Sequence, residues 1–177
     1  MTELHLGAAD LTLRPWAPAD AAVLPGLLDD PDLRRWTSHR APDTAAAREW
    51  IARQRAGAVT GERTPLAVLL DGAVVGHLVL KRPDPTVPVG EVGYWIGARA
   101  RGRGLAARAV GLITDWAFSA SRGPRLDRLD LIHDVDNAAS CAVARKAGYV
   151  LAEILPPAPR HPAPAHLHVR SRTGTAS

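Results

Sequence analysis

A chain of 177 residues, 46% of them hydrophobic, is the size of one domain with one core, and a single domain over residues 1–177 is expected. The net charge is +4 and the isoelectric point is near 10.0, yet aromatics are only 5% and no Lys/Arg run forms a binding arm, which argues against a nucleic-acid-binding protein. One cysteine, Cys141, excludes an intrachain disulfide and has no metal-ligand spacing around it. No apolar run reaches the roughly 20 residues of a membrane span, and the start lacks a basic-then-apolar signal. A cytoplasmic protein without metal, membrane or nucleic-acid partner is therefore expected.

In chain order, residues 11–15 alternate and read as the first strand. Residues 19–29 are Ala/Leu-rich and read as a helix that starts near Asp20 and is closed by Pro31. Residues 32–42 read as irregular, and Asp43 or Thr44 caps a helix running to about Ala56. Two apolar runs, 66–70 and 74–81, flank Asp71-Gly72, the signature of a tight hairpin. Three prolines between 83 and 88 lead stiffly into a strand at 89–96. Residues 105–119 carry apolar side chains at helical spacing, and 126–133 read as a strand with Leu129, Leu131 and His133 on one side. Asn137 caps a helix that Gly148 terminates, and a short strand follows at 150–154. Five prolines between 156 and 164 forbid regular structure, a last strand is expected at 167–171, and 171–177 should fray. This order describes an α/β domain with one mixed sheet and helices on both faces.

The segment between the strand at 89–96 and its helix carries the most chemistry. Arg101, Gly102, Arg103, Gly104, Leu105 and Ala106 stand where a helix is about to begin. Glycines there permit a tight turn and leave backbone amides open to a ligand. The first helical turn adds unpaired N–H groups and the positive end of the helix dipole. Together these make a cradle for phosphate or pyrophosphate. The loop lacks the Lys-Ser/Thr ending of a nucleotide P-loop, and the glycine spacing is not that of a dinucleotide fold.

Arg101-x-x-Gly104-x-Ala106 resembles the Arg/Gln-x-x-Gly-x-Gly/Ala signature of the GNAT acetyltransferases. The preceding Gly93-Tyr94-Trp95-Ile96 is similar to the strand of the RimJ/RimL-like ribosomal-protein Nα-acetyltransferases. Asn137-Ala138-Ala139-Ser140, followed by Lys146-Ala147-Gly148-Tyr149, resembles the family's second block. The resemblance implies a mostly antiparallel, twisted sheet whose strands near 89–96 and 126–133 splay apart around acetyl-CoA. It also implies acetyl transfer to a primary amine by direct attack in a ternary complex. The acceptor would be a peptide, a protein N-terminus or a small molecule, and the protein a monomer or homodimer. Two other outcomes stay open: an acyl-CoA-binding module without turnover, and an acetyltransferase for an antibiotic or other specialised metabolite.

Such chemistry needs a base, an oxyanion contact and an acid. Glu91, on the strand face of Gly93 and Trp95, is the first candidate for the base, with His133 its competitor. By resemblance Ser140 would donate to the leaving sulfur, and Asn137 would cap its helix and touch the pantetheine arm. Backbone amides at Trp95 and Ile96 should pair with pantetheine as an added strand would. Trp36, His39 and His133 are the acceptor-side candidates. Tyr94 is expected to be a wall residue.

Overall fold

In the computed structural model, which describes residues 4–159 and 161–172, the alternating segments form one eight-stranded sheet. Its strands are β1 (Leu6–Ala8), β2 (Leu11–Pro15), β3 (Arg63–Leu70), β4 (Ala73–Lys81), β5 (Val89–Ile96), β6 (Arg128–Asp134), β7 (Val150–Leu155) and β8 (Ala165–Ser171). They lie in the order β1-β2-β3-β4-β5-β6-β8-β7, and every neighbouring pair is antiparallel except β5 with β6. The β3–β4 hairpin turns on Asp71 and Gly72, at φ 48° and 81°. Both positive angles belong to the turn whose twist matches the flanking strands.

Helices cover both faces, as the element order requires. On one face pack α4 (Leu105–Phe118) and α5 (Ala138–Lys146), against Leu66, Val68, Leu78, Leu80, Val92 and Leu129. On the other pack α1 (Leu24–Leu28), α2 (Pro31–Trp36) and α3 (Thr44–Val59), whose Trp50 and Ile51 meet Ala67, Leu69 and Trp95. The alternation along β3, even residues to one core and odd residues to the other, follows from the two-residue strand period. The Asp43 carboxylate accepts from Ala46 N at 2.8 Å and starts α3 as expected.

Four local expectations are corrected. The helix at 19–29 is broken into a 3-10 turn, Pro18–Ala22, and α1, because Pro25 has no N–H and its ring would clash with a continuing helix. The first turn starts at Pro18 rather than near Asp20, whose carboxylate reaches back to accept from Ala17 N at 2.8 Å and pairs with Arg14. Residues 31–36, read as a stop and an irregular stretch, form α2: Asp30 accepts from Asp32 N at 2.9 Å and Pro31 takes the first helical position. Fraying does not start at 171, since Ser171 pairs with Arg128 and Arg172 bonds Asp127; residues 173–177 lie outside those described.

Candidate functional site

The sheet opens where β5 meets β6. The two strands pair only at Val89↔Arg128, Gly90↔Leu129 and Glu91↔Asp130. Beyond that rung β5 stays paired with β4 as far as Ile96, and β6 stays paired with β8 as far as Asp134. Each strand thus keeps its outer neighbour while parting from the other. The wedge between 92–96 and 131–134 exposes a strand edge whose backbone groups need partners.

The glycine loop closes the β5 side of this wedge. Gly102 and Gly104 sit at φ 75° and 73°, in the left-handed region, and a Cβ at either would meet no heavy atom within 4 Å. The first backward hydrogen bond at the helix start is Arg108 N to Gly104 O, at 3.2 Å, so the earlier amides of the turn point out of the helix end. The loop has the conformation and open space that a phosphate cradle requires. The Arg101 side chain, however, turns away. Its Nε donates to Ile96 O at 2.9 Å, and its guanidinium pairs with Asp30, the cap of α2, and with Asp32 in its first turn. Arg103 is exposed on the loop.

The opposite side of the wedge is the N-terminus of α5. Asn137 Oδ1 accepts from Ser140 N at 3.0 Å, as expected of the cap. Ser140 Oγ in turn accepts from Tyr94 Oη at 3.1 Å. That bond spans from the free segment of β5 to α5, so Tyr94 is more than a wall residue. Burial pushes its hydroxyl up to about 12 despite the Ser140 contact, so it stays a donor through the physiological range. Sequence reading placed Tyr94 on the right strand but had no means to see what its face met.

Glu91 lies at the closed end of the wedge, on the face shared with Trp95, and its Oε1 is 2.5 Å from Lys81 Nζ across the β4–β5 pair. The acceptor-side candidates are not brought together. His39 belongs to an aromatic cluster with Trp16, Trp50, His77 and Trp95 on the α1–α3 face. His133 faces α5 instead, beside His166 and His168. Trp36 ends α2 with the Arg35 guanidinium stacked on it at 4.4 Å.

His39 accepts from Trp50 Nε1 at 3.1 Å, and His77 accepts from Trp16 Nε1 at 3.0 Å. Burial, then the charges of Arg63, Lys81 and Arg40, push His39 down to about 4, while burial holds His77 well below its ordinary value. Both are neutral at physiological pH. The unfolded chain protonates His39 near 6.5 and the folded one only near 4. Its contribution to stability is complete above pH 6.5 and is lost as pH falls toward 4, by at most about 3 kcal/mol before solvent screening is discounted. In His39→Gln, which keeps an acceptor for Trp50, urea unfolding at roughly pH 7 and pH 5 should show a smaller loss of stability than in the parent.

The family description "Acetyltransferase (GNAT) domain" matches residues 10–150. The chain belongs to the GNAT acetyltransferases. It is an acyl-transferring enzyme of that fold. Among solved structures it is similar to Mycobacterium smegmatis RimJ in complex with CoA-disulfide, at 21% identity over 99% of this chain and 89% of that one, with a TM-score of 0.83. It is also similar to the ribosomal-protein-S5-alanine acetyltransferase of Vibrio fischeri, at 16% identity over 96% and 97%, TM-score 0.80. A third is the microcin C7 self-immunity acetyltransferase MccE in complex with acetyl-CoA and AMP, at 18% identity over 93% and 94%, TM-score 0.82. No curated protein sequence matches this chain. Among the described residues no helix is long and apolar enough to cross a membrane.

Proposed function

We propose that this GNAT domain transfers an acetyl group from acetyl-CoA to a primary amine by direct attack within a ternary complex. The parting of β5 from β6 beside the glycine loop carries the reading, because it supplies a slot for an extended amide-bearing arm and a cradle for its phosphates at one end. Backbone groups at Trp95 and Ile96 hold the arm, and the amides of Gly102, Gly104, Leu105 and Ala106 hold the phosphates. The Asn137 amide nitrogen remains to face the arm while its oxygen caps α5.

Ser140 acts at the leaving sulfur. Tyr94 donates to Ser140 Oγ, which leaves the Ser140 hydrogen to point at the sulfur as charge builds there. Glu91 accepts the proton of the incoming amine, directly or through water; amines near 8 or 10.4 arrive mostly protonated at neutral pH. Access is from the α1–α3 face, where Trp95 lies on the face of Glu91, Trp36 ends α2 and His39 stands on the segment between α2 and α3. Solved relatives named for ribosomal proteins and for microcin immunity bracket the acceptor between a peptide N-terminus and an antibiotic-like amine. A mass-shift screen of both classes, with thiol release as the second readout, tests the reading.

Glu91→Gln should leave acetyl-CoA binding intact and lower kcat at neutral pH by about 10²–10⁴, the usual worth of a positioned base. Part of the loss should return at high pH, where more amine arrives neutral. Equal activity in Glu91→Gln would pass the proton to water or to another group. The Lys81–Glu91 ion pair favours a second reading, since it engages the one acid of β5. Tight CoA binding with no thiol release across the whole amine panel would establish a binding module instead.

A further inference from the structure

The face of the sheet beneath the first turn of α5 holds three histidines and the lone cysteine. In the β6–β8 register His133 stands opposite His166, and His168 opposite Leu131, two residues back along β6. The two-residue period therefore puts all three imidazoles on one face. Their ring centroids lie 5.2 to 6.0 Å apart. Cys141 comes down on them from α5, and one ligand atom from each of the four residues lies within 4.8 Å of the others.

Packing alone does not account for this group. Among the described residues, His133 Nε2, His166 Nδ1 and both ring nitrogens of His168 are buried without a hydrogen-bond partner. Buried polar atoms are nearly always paired, and orphans on three residues whose ligand atoms lie this close call for a common partner. The remaining nitrogen of His133 is already committed: Nδ1 lies 2.8 Å from Asp134 O. As the donor of that bond it leaves Nε2 with its lone pair aimed inward, the arrangement that orients a ligating histidine.

We propose that His133, Cys141, His166 and His168 form a zinc site that fastens the first turn of α5 to β6 and β8. Three imidazole nitrogens and one thiolate suit a four-coordinate, borderline-soft ion, and four protein ligands make a closed, structural site. Bond lengths near 2.0–2.1 Å to nitrogen and 2.3 Å to sulfur require donor separations of about 3.4–3.6 Å, which small side-chain rotations from the present spacing reach. Binding breaks the Cys141 S–H bond and forms S–Zn; the proton passes to solvent, the imidazoles give lone pairs, and no electron changes hands. Since Cys141 follows Ser140 directly, the ion also fixes the turn that carries the Ser140 hydroxyl. The site does not depend on the acetyltransferase reading, and it is tested without substrate.

The purified full chain, freed of metal by chelation, should bind one equivalent of zinc in competition with a chromophoric chelator. Cobalt(II) in its place should give tetrahedral d–d bands with a thiolate charge-transfer band. Cys141→Ser should abolish the charge-transfer band, and His168→Asn should weaken zinc by more than about 100-fold, beyond the 10–100-fold of a lost supporting contact. His5→Asn, an exposed histidine outside the cluster, should change neither. Zinc should raise the melting temperature of the parent in a concentration-dependent way but not that of Cys141→Ser. Cys141→Ser is nearly isosteric, so the spectroscopic arm stands even where a histidine variant folds poorly. No stoichiometric zinc, a charge-transfer band that survives Cys141→Ser, or uptake of copper(I) but not zinc would each overturn the assignment.

Discussion

Gly104→Val should weaken CoA binding by at least about 10²-fold while the protein stays folded. Gly104 sits at φ 73°, where an L-residue costs roughly 1–2 kcal/mol and a β-branched one more. A Cβ there touches nothing within 4 Å, so the valine does not collide with the core; it projects into the space over the outward-facing amides. Turn strain and a blocked amide together come to about 3 kcal/mol, and each 1.4 kcal/mol is tenfold in affinity. Titration calorimetry with CoA, beside a thermal melt of the same sample, separates lost binding from lost folding. Undiminished affinity in a folded Gly104→Val protein would remove the loop from the cofactor site.

Ser140→Ala should lower kcat by about 10²–10³ with little change in acetyl-CoA affinity, the cost of one preorganised donor at a developing charge. The substitution leaves the Asn137 cap in place, because Asn137 bonds the backbone N–H of residue 140 and not its side chain. Tyr94→Phe should cost less, since Tyr94 acts only through Ser140 Oγ. A Ser140→Ala enzyme with full kcat and weakened cofactor affinity would make Ser140 a binding residue alone.

The sequence was most readable where local chemistry and period agree. Asp71-Gly72 marks its hairpin, Asn137 and Asp43 cap their helices, and β5 keeps its expected bounds of Val89–Ile96. It was least readable where one residue has two meanings. Pro31 stops a helix as easily as it starts one, and only the Asp30 cap decides for α2. The side-chain directions that matter at the site depend on register. Arg101, in the signature, faces α2, and Tyr94 faces Ser140, because of which strand lies beside which. The histidine–cysteine group was hidden for the same reason. Linear spacing cannot register ligands drawn from β6, α5 and β8, so the expectation of a metal-free protein had no way to test itself.

Arg101 also joins the glycine loop to α2. Its guanidinium ties the glycine loop to Asp30 and Asp32, at the head of the helix that leads to Trp36 and His39. If the proposed sites hold, a loop drawn inward by the cofactor would pull on α2 through that pair, and an acceptor seated against α2 would pull back on the loop. Linkage makes the two effects equal: whatever factor the cofactor lends to acceptor affinity, the acceptor returns to cofactor affinity. Weakening the tie with Asp30→Asn, which leaves the Asp32 contact, should then reduce the factor by which each ligand changes the affinity of the other.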